Sequence, residues 1–285
     1  MLCVILSLLP AAIAGCMLFG MKALILLGTT TGTAMIAEAF CRIITRKTQT
    51  VFDCSAAVTG LMLGMLLPPS FPPQWAACAS AFAIIIVKQL FGGIGRNFAN
   101  PALTALAVLL LFFRQNMYTW TGLKGETITG TIDILPDQDA AIWDLLLGNT
   151  AGSIGTVCAA GLLLGGLFLW FSGISSPAAP LSFLISFAAL SWMGGYDVLS
   201  QLFSGSLMLC AVFAASDYTT TPVTKNGKIL FGFCCGMLTF FIRHYGGYAD
   251  SAVFAVLIMN LAVSLIDRIC APEPFGKVAG HTRNK

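Results

Sequence analysis

Long uninterrupted apolar runs dominate what this chain can fold into. A hydrocarbon layer about 30 Å thick is crossed by roughly 20 mostly apolar helical residues. Ten such stretches can be read, at approximately 2–20, 23–41, 54–67, 75–91, 101–113, 152–171, 178–195, 202–215, 228–242 and 251–267, several of them short for a full crossing. Of the 285 residues 57% are hydrophobic and only 9% charged, where soluble domains carry about 25% charged residues. The mean hydropathy is +0.87. A membrane barrel would instead alternate apolar and polar residues over about ten positions, and no such alternation occurs. The expectation is an all-α polytopic membrane protein with about ten transmembrane helices.

Lys and Arg near helix ends stay preferentially cytoplasmic. With the N-terminus inside, eleven of the fifteen basic residues fall on the inner side and four (Lys22, Arg114, Lys124 and Arg243) on the outer side. This predicts a multi-pass protein of the bacterial cytoplasmic (inner) membrane with both termini cytoplasmic. The loop from 114 to 150 is then extracytoplasmic and acidic. The net charge of +3 and the lack of a basic patch interleaved with aromatics exclude nucleic acid as a partner; membrane lipid is the expected surroundings. Ten cysteines lie scattered through apolar segments with no CxxC pair, so they read as helix-packing residues rather than metal or disulfide ligands. The opening "MLCVILSLLPAAIAGC" has the look of a lipoprotein leader ending at Cys16, but it lacks a basic start and reads as the first transmembrane helix.

The chain carries an internal repeat. Pro68 pairs with Pro222, and Gly92-Gly93 with Gly246-Gly247, at one offset of 154 residues. Two five-helix repeats follow, 1–113 and 151–271, joined by the 114–150 loop and followed by a tail, 272–285. An odd number of spans per repeat inverts the second copy, the arrangement of many transport folds. In those folds, helices interrupted by Gly or Pro in matching positions mark the binding site, because irregular backbone at membrane depth survives only where protein or a cavity satisfies it. "FGGIGRNFANPAL" (91–103) is such an interruption. Asn97 and Asn100, three apart, can present amide groups from one side of a turn; alternatively Asn100 simply caps the helix that begins at Pro101. Asp217, with Thr219, Thr220 and Thr221 before Pro222, either lines the same cavity or forms a capped turn.

Four long segments carry a resemblance: "KQLFGGIGRNFANPAL" (88–103), "LLLGNTAGSIGTVCAAGLLLGG" (145–166), "SDYTTTPVTKNGKILFG" (216–232) and "FAVLIMNLAVSLIDR" (254–268). Together, and over nearly the whole chain, they resemble the D subunit of the Rnf complex, an ion-translocating ferredoxin:NAD oxidoreductase. The "GGxGxNFxNPAL" pattern is similar to that of the B subunit of the sodium-translocating NADH:quinone oxidoreductase. The resemblance implies a non-autonomous flavoprotein subunit that passes electrons within a sodium- or proton-pumping translocase, in company with the other subunits of an Rnf-type complex. It implies two flavins. One is a non-covalent riboflavin near Asn97 and Asn100, with Asp217 as a further cofactor contact. The other is an FMN joined through its phosphate to a threonine of the outer loop.

At that second site the sequence departs from the family signature Asp-x-x-Ser/Thr-Gly-Ala-Thr. The matching stretch is "ETITGTI" (126–132): Thr129 and Gly130 fit, Glu126 replaces Asp, Thr131 replaces Ala, and Ile132 occupies the acceptor position. Ile has no hydroxyl to esterify, so covalent FMN would shift to Thr131, with Thr127 and Thr129 as further alternatives. The resemblance also implies a cytoplasmic extension before the first helix, so either a start codon called late or a trimmed paralogue is the expectation there. The rival readings are a paralogue lacking covalent FMN and a solute channel or transporter of the urea-channel type, since fold alone does not set function.

Among remaining residues, Glu38 lies inside an apolar segment and marks either an ion path or a local ion pair with Arg42 one turn away. Lys88 is expected to snorkel to the interface, and Asp53 to favour the N-terminal end of the third helix. His244 and His281 have no second ligand at metal spacing. No nucleophile, base and orienting group occur together, so no hydrolytic or metal site is expected.

Overall fold

The computed structural model describes residues 1–46, 48–49, 51–93, 95, 97–121, 127–129, 142–148 and 150–271. Four helices are long and apolar enough to cross a membrane: α1 (Leu2–Phe19), α2 (Met21–Ile44), α12 (Lys225–Gly246) and α13 (Ser251–Ile269). Among them pack the shorter apolar helices α3 (Ser55–Leu66), α5 (Pro101–Phe112), α8 (Ala159–Phe171) and α9 (Ala178–Met193). Two further helices end in π-helical turns. α4 (Pro73–Phe82) continues as Ala83–Gln89, and α11 (Leu207–Leu209) as Cys210–Ala214. Three short helices, α6 (Arg114–Met117), α7 (Ile142–Leu147) and α10 (Val198–Phe203), complete the set among the described residues. Each of the ten expected apolar stretches contains helix, and the chain is a multi-pass membrane protein.

Two departures from expectation stand out. The chain is not purely helical: Thr119–Thr121 (β1) and Thr127–Thr129 (β2) pair antiparallel, with Trp120 opposite Ile128. The sixth apolar stretch, expected to be helical from about 152, is irregular until Ala159. Its backbone is used elsewhere. Ile154 N–H donates to the Leu67 carbonyl (3.1 Å) and Gly155 N–H to that of Met65 (2.7 Å). α3 is short because Leu67 turns extended ahead of Pro68, which leaves its last carbonyls without helical donors. In a membrane those groups need protein partners, and the 150s loop supplies two of them.

Close helix contacts rest on glycines four apart, which let backbones approach where lipid offers no hydrophobic drive for association. Gly232 and Gly236 of α12 face Ala179 and Phe183 of α9, and a Cβ on Gly236 would come within 2.5 Å of the Phe183 carbonyl oxygen. Gly161 and Gly165 of α8 lie against Ala11 and Ser7 of α1, while Gly60 and Gly64 of α3 lie against Thr30 of α2. These pairings, with α12 on α13 and α5 on α13, enclose one continuous core that includes Leu63, Leu106, Phe183, Phe231 and Val256.

Candidate functional site

The stretch at 91–103 interrupts the helices as expected. The π-helical turn ends at Gln89 and α5 begins at Pro101, whose missing N–H costs nothing at a first helical position. Gly92, Gly93 and Gly95 all have φ between +83° and +111°, backbone that side-chain-bearing residues rarely adopt. Gly93 is constrained twice, since a Cβ there would also come within 3.0 Å of Arg42 Nη2. Asn100 is the helix cap: its Oδ1 accepts from the N–H groups of Ala102 (3.1 Å) and Leu103 (3.3 Å).

Asp217 sits in the turn between α11 and α12. Its carboxylate accepts from Thr219 N–H (3.2 Å) and Thr219 Oγ1 (2.9 Å), and its carbonyl accepts from Thr221 Oγ1 (2.7 Å). Burial pushes its carboxyl above the ordinary value, against the lowering effect of the Thr219 hydrogen bonds. The capped-turn reading is therefore met at Asp217 as it is at Asn100.

Capping does not exhaust the geometry. Asn97 and Asn100 on one side and Asp217, more than a hundred residues later in sequence, on the other line one cavity of about 100 Å³. Its apolar walls come from Val58 and Met62 of α3, Leu169 of α8 and Phe213 of the second π-helical turn. Two polar atoms in its lining residues, Asn97 Oδ1 and Ser175 Oγ, are buried with no hydrogen-bond partner. Buried polar atoms without partners are rare enough in native proteins to require a reason, and a polar-edged ligand supplies one.

The two loops forming the polar wall are tied by a residue that pattern reading missed. Asn260 of α13 is buried, and its amide, oriented to satisfy its neighbours, accepts from Asn100 N–H (3.2 Å) and donates to the carbonyls of Thr220 (3.1 Å) and Val256 (3.2 Å). The signal was available, since Asn260 is a lone amide in the apolar run "FAVLIMNLAVSLID", and a polar residue inside such a run needs a partner.

Glu38 and Lys88 are corrected by the structure. Glu38 pairs not with Arg42 but with Lys88, fifty residues away: Lys88 Nζ lies 2.8 Å from Glu38 Oε1, with the side chains 2% and 0% exposed. Lys88 therefore does not snorkel. It also donates to Ser55 Oγ (2.6 Å), and Gln89 Nε2 donates to the same Glu38 oxygen (3.0 Å). Asp53 is exposed in the single turn Val51–Asp53 ahead of α3 and gives that helix no side-chain cap. His244 stacks on Tyr196, ring centroids 4.0 Å apart. Glu126, Thr131 and Ile132, with Gly130, lie outside the described residues; Thr127 and Thr129 are the ends of β2.

Fold and site thus define a multi-pass helical membrane protein with an apolar-walled, polar-edged cavity between interrupted helices. Residues 1–276 match the NQR2, RnfD, RnfE family, and the chain belongs to that family. It is 37% identical over 282 residues, 96% of this chain and 89% of the relative, to the D subunit of the Na(+)-translocating ferredoxin:NAD(+) oxidoreductase complex of Acetobacterium woodii. It is 35% identical to the D subunit of the ion-translocating oxidoreductase complex of Stutzerimonas stutzeri, covering 98% of this chain and 92% of the relative. It is 33% identical to the D subunit of the proton-translocating ferredoxin:NAD(+) oxidoreductase complex of Clostridium ljungdahlii, covering 96% and 90%.

Proposed function

We propose that this chain is the membrane flavoprotein subunit of an ion-translocating ferredoxin:NAD oxidoreductase complex and holds a non-covalent riboflavin in the cavity beside Asn97, Asn100 and Asp217. The observation that carries the reading is the convergence of those three residues on one apolar-walled cavity, with Asn97 Oδ1 buried and unpartnered. The relatives' names support membership of a multi-subunit complex, and they differ in the ion, sodium in one and proton in another. A flavin supplies reversible electron transfer when bound, while the protein sets its position and potential. In this reading Asn97 and Ser175 offer hydrogen bonds to the ring's polar rim, Asn100 and Asp217 hold the two loops in shape, and Val58, Met62 and Phe213 exclude water from its faces.

The inverted-repeat architecture belongs to the same proposal. The succession α1, α2, α3, α4, α5 corresponds at the 154-residue offset to α8, α9, α11, α12, α13, and in both series the third member is short and followed by Pro68 or Pro222. Both termini are then cytoplasmic, and the 114–150 loop is outside. Covalent FMN in that loop would require Thr131, because Ile132 has no hydroxyl.

The test is purification of the assembled complex, acid extraction and chromatographic identification of the flavin, with mass analysis of the 114–150 peptide. The expected result is one riboflavin per complex, with less retained in Asn97→Leu. A colourless complex that passes urea or another small solute through proteoliposomes would replace this reading with the channel alternative. An FMN-sized mass increment on Thr131 would add the second cofactor.

A further inference from the structure

Lys88 carries chemistry that neither the cavity's shape nor the family assignment explains. Neighbouring residues do not share a face on a regular helix. Yet Lys88 Nζ and Gln89 Nε2 both reach Glu38 Oε1, and the segment Ala83–Gln89 that carries them winds as a π-helix, a local geometry often found at functional sites. Burying an ammonium costs several kcal/mol, and an apolar pair of similar volume serves stability as well or better. An ion pair retained inside a membrane protein therefore points to a use for the charge. Its position indicates which use: Lys88 and Ser55, to whose hydroxyl it donates, both line the cavity that contains Asn97 and Asp217.

We propose that Lys88 is the charge-compensating residue of this cavity, placing a fixed positive charge beside the flavin so that uptake of an electron is favoured, with Glu38 as the counter-ion that holds the ammonium in place and moderates its effect. The inference rests on the flavin reading above. The electron comes from, and leaves to, redox partners within the complex. No covalent bond forms or breaks, and no proton leaves Lys88: negative charge added beside the ammonium is stabilised, and the stabilisation is given up when the electron departs. Other charges act on the same site. Arg42, buried, adds to the positive field; Asp53, exposed, is screened; Asp217, which also lines the cavity, opposes it where ionised.

The experiment is a spectroscopic redox titration of the non-covalent flavin in the purified complex, with flavin content measured on the same samples. Lys88→Gln should make one-electron reduction about tenfold less favourable, a downward shift of about 59 mV. Lys88→Arg should keep it within about twofold of the native value. Glu38→Gln should shift it the opposite way, severalfold toward reduction. The opposite signs are the signature, since structural damage would move both variants alike. A stoichiometrically bound flavin with unmoved potential in Glu38→Gln overturns the inference while leaving the functional reading intact. It decides the matter also where Lys88→Gln fails to assemble. Absence of flavin from the native complex overturns both.

Discussion

Two buried cations, Lys88 and Arg243, are held in opposite ways. Lys88 is satisfied by a carboxylate from α2 and a hydroxyl from α3 at a cavity wall, while the amide of Gln89 donates to the same carboxylate. Arg243, 5% exposed, lies near the end of α12, about 27 Å of helix rise from its start. It donates to the backbone carbonyl of Gln201 (2.6 Å), to Gln201 Oε1 (3.3 Å) and to the carbonyl of Ser204 (3.2 Å), with its guanidinium 5.0 Å from the centre of the Phe187 ring. Arg243 thus clasps the C-terminal end of α10, at Gln201 and Ser204, and none of the residues lining the cavity takes part. A planar fork of donors suits carbonyl groups fixed by a turn, whereas a point charge on a flexible stem suits a site whose charge changes. The contrast teaches that burial alone does not identify a working charge; what the neighbours are, and what space they face, does.

The largest effect expected is on the Lys88 pair. Glu38→Leu alone should destabilise the purified complex by about 3–5 kcal/mol, because it strands a buried ammonium, and adding Lys88→Met should recover most of the loss. Thermal unfolding in detergent measures both; additive losses would mean that the two side chains are not coupled. Next, Arg243→Lys should cost about 1.5–3 kcal/mol through the lost fork of charge-assisted hydrogen bonds, yet leave the flavin potential where it was. A potential shift as large as that of Lys88→Gln would erase the contrast between the two cations. Asn260→Leu should cost roughly 1 kcal/mol for each inter-loop hydrogen bond removed and speed the loss of the proposed flavin on gel filtration, since it unties the two halves of the polar wall.

The smallest effect concerns pH near Arg243. Asp250, in the turn between α12 and α13, is 2% exposed. Burial raises its carboxyl above the ordinary 3.8, with Ser206 and Arg243 acting in the lowering direction. A folded-state value above the unfolded one favours the fold at pH below 3.8, and that contribution is lost as pH rises through the raised value. Asp250→Asn should therefore flatten the pH dependence of unfolding over that window by removing the ionisable group. An unchanged slope would show that Asp250 titrates alike in both states.

Much of this was legible locally. Apolar run length placed the helices, Pro101 after Asn100 announced a cap, and Pro68 marked where α3 would stop. The close-packed glycines at 60 and 64, 161 and 165, and 232 and 236 were visible in the same run of letters and were passed over. What was not legible is whatever depends on residues far apart in sequence. Glu38 had Arg42 one turn away as its obvious partner and chose Lys88, because the segment Ala83–Gln89 packs against α2. The 150s loop looked like helix until α3 claimed two of its N–H groups.

Run length, charge placement and punctuation by Gly and Pro therefore determined, without any coordinates, that this is a multi-pass helical membrane protein interrupted at Asn97–Pro101 and Asp217–Pro222, because those properties follow from the solvent and from backbone sterics residue by residue. Only the tertiary structure decided that the two interruptions share one cavity, that Asn260 ties them and that Lys88 faces it charged and paired. Each of those facts is a distance between segments that the chain brings together only by packing.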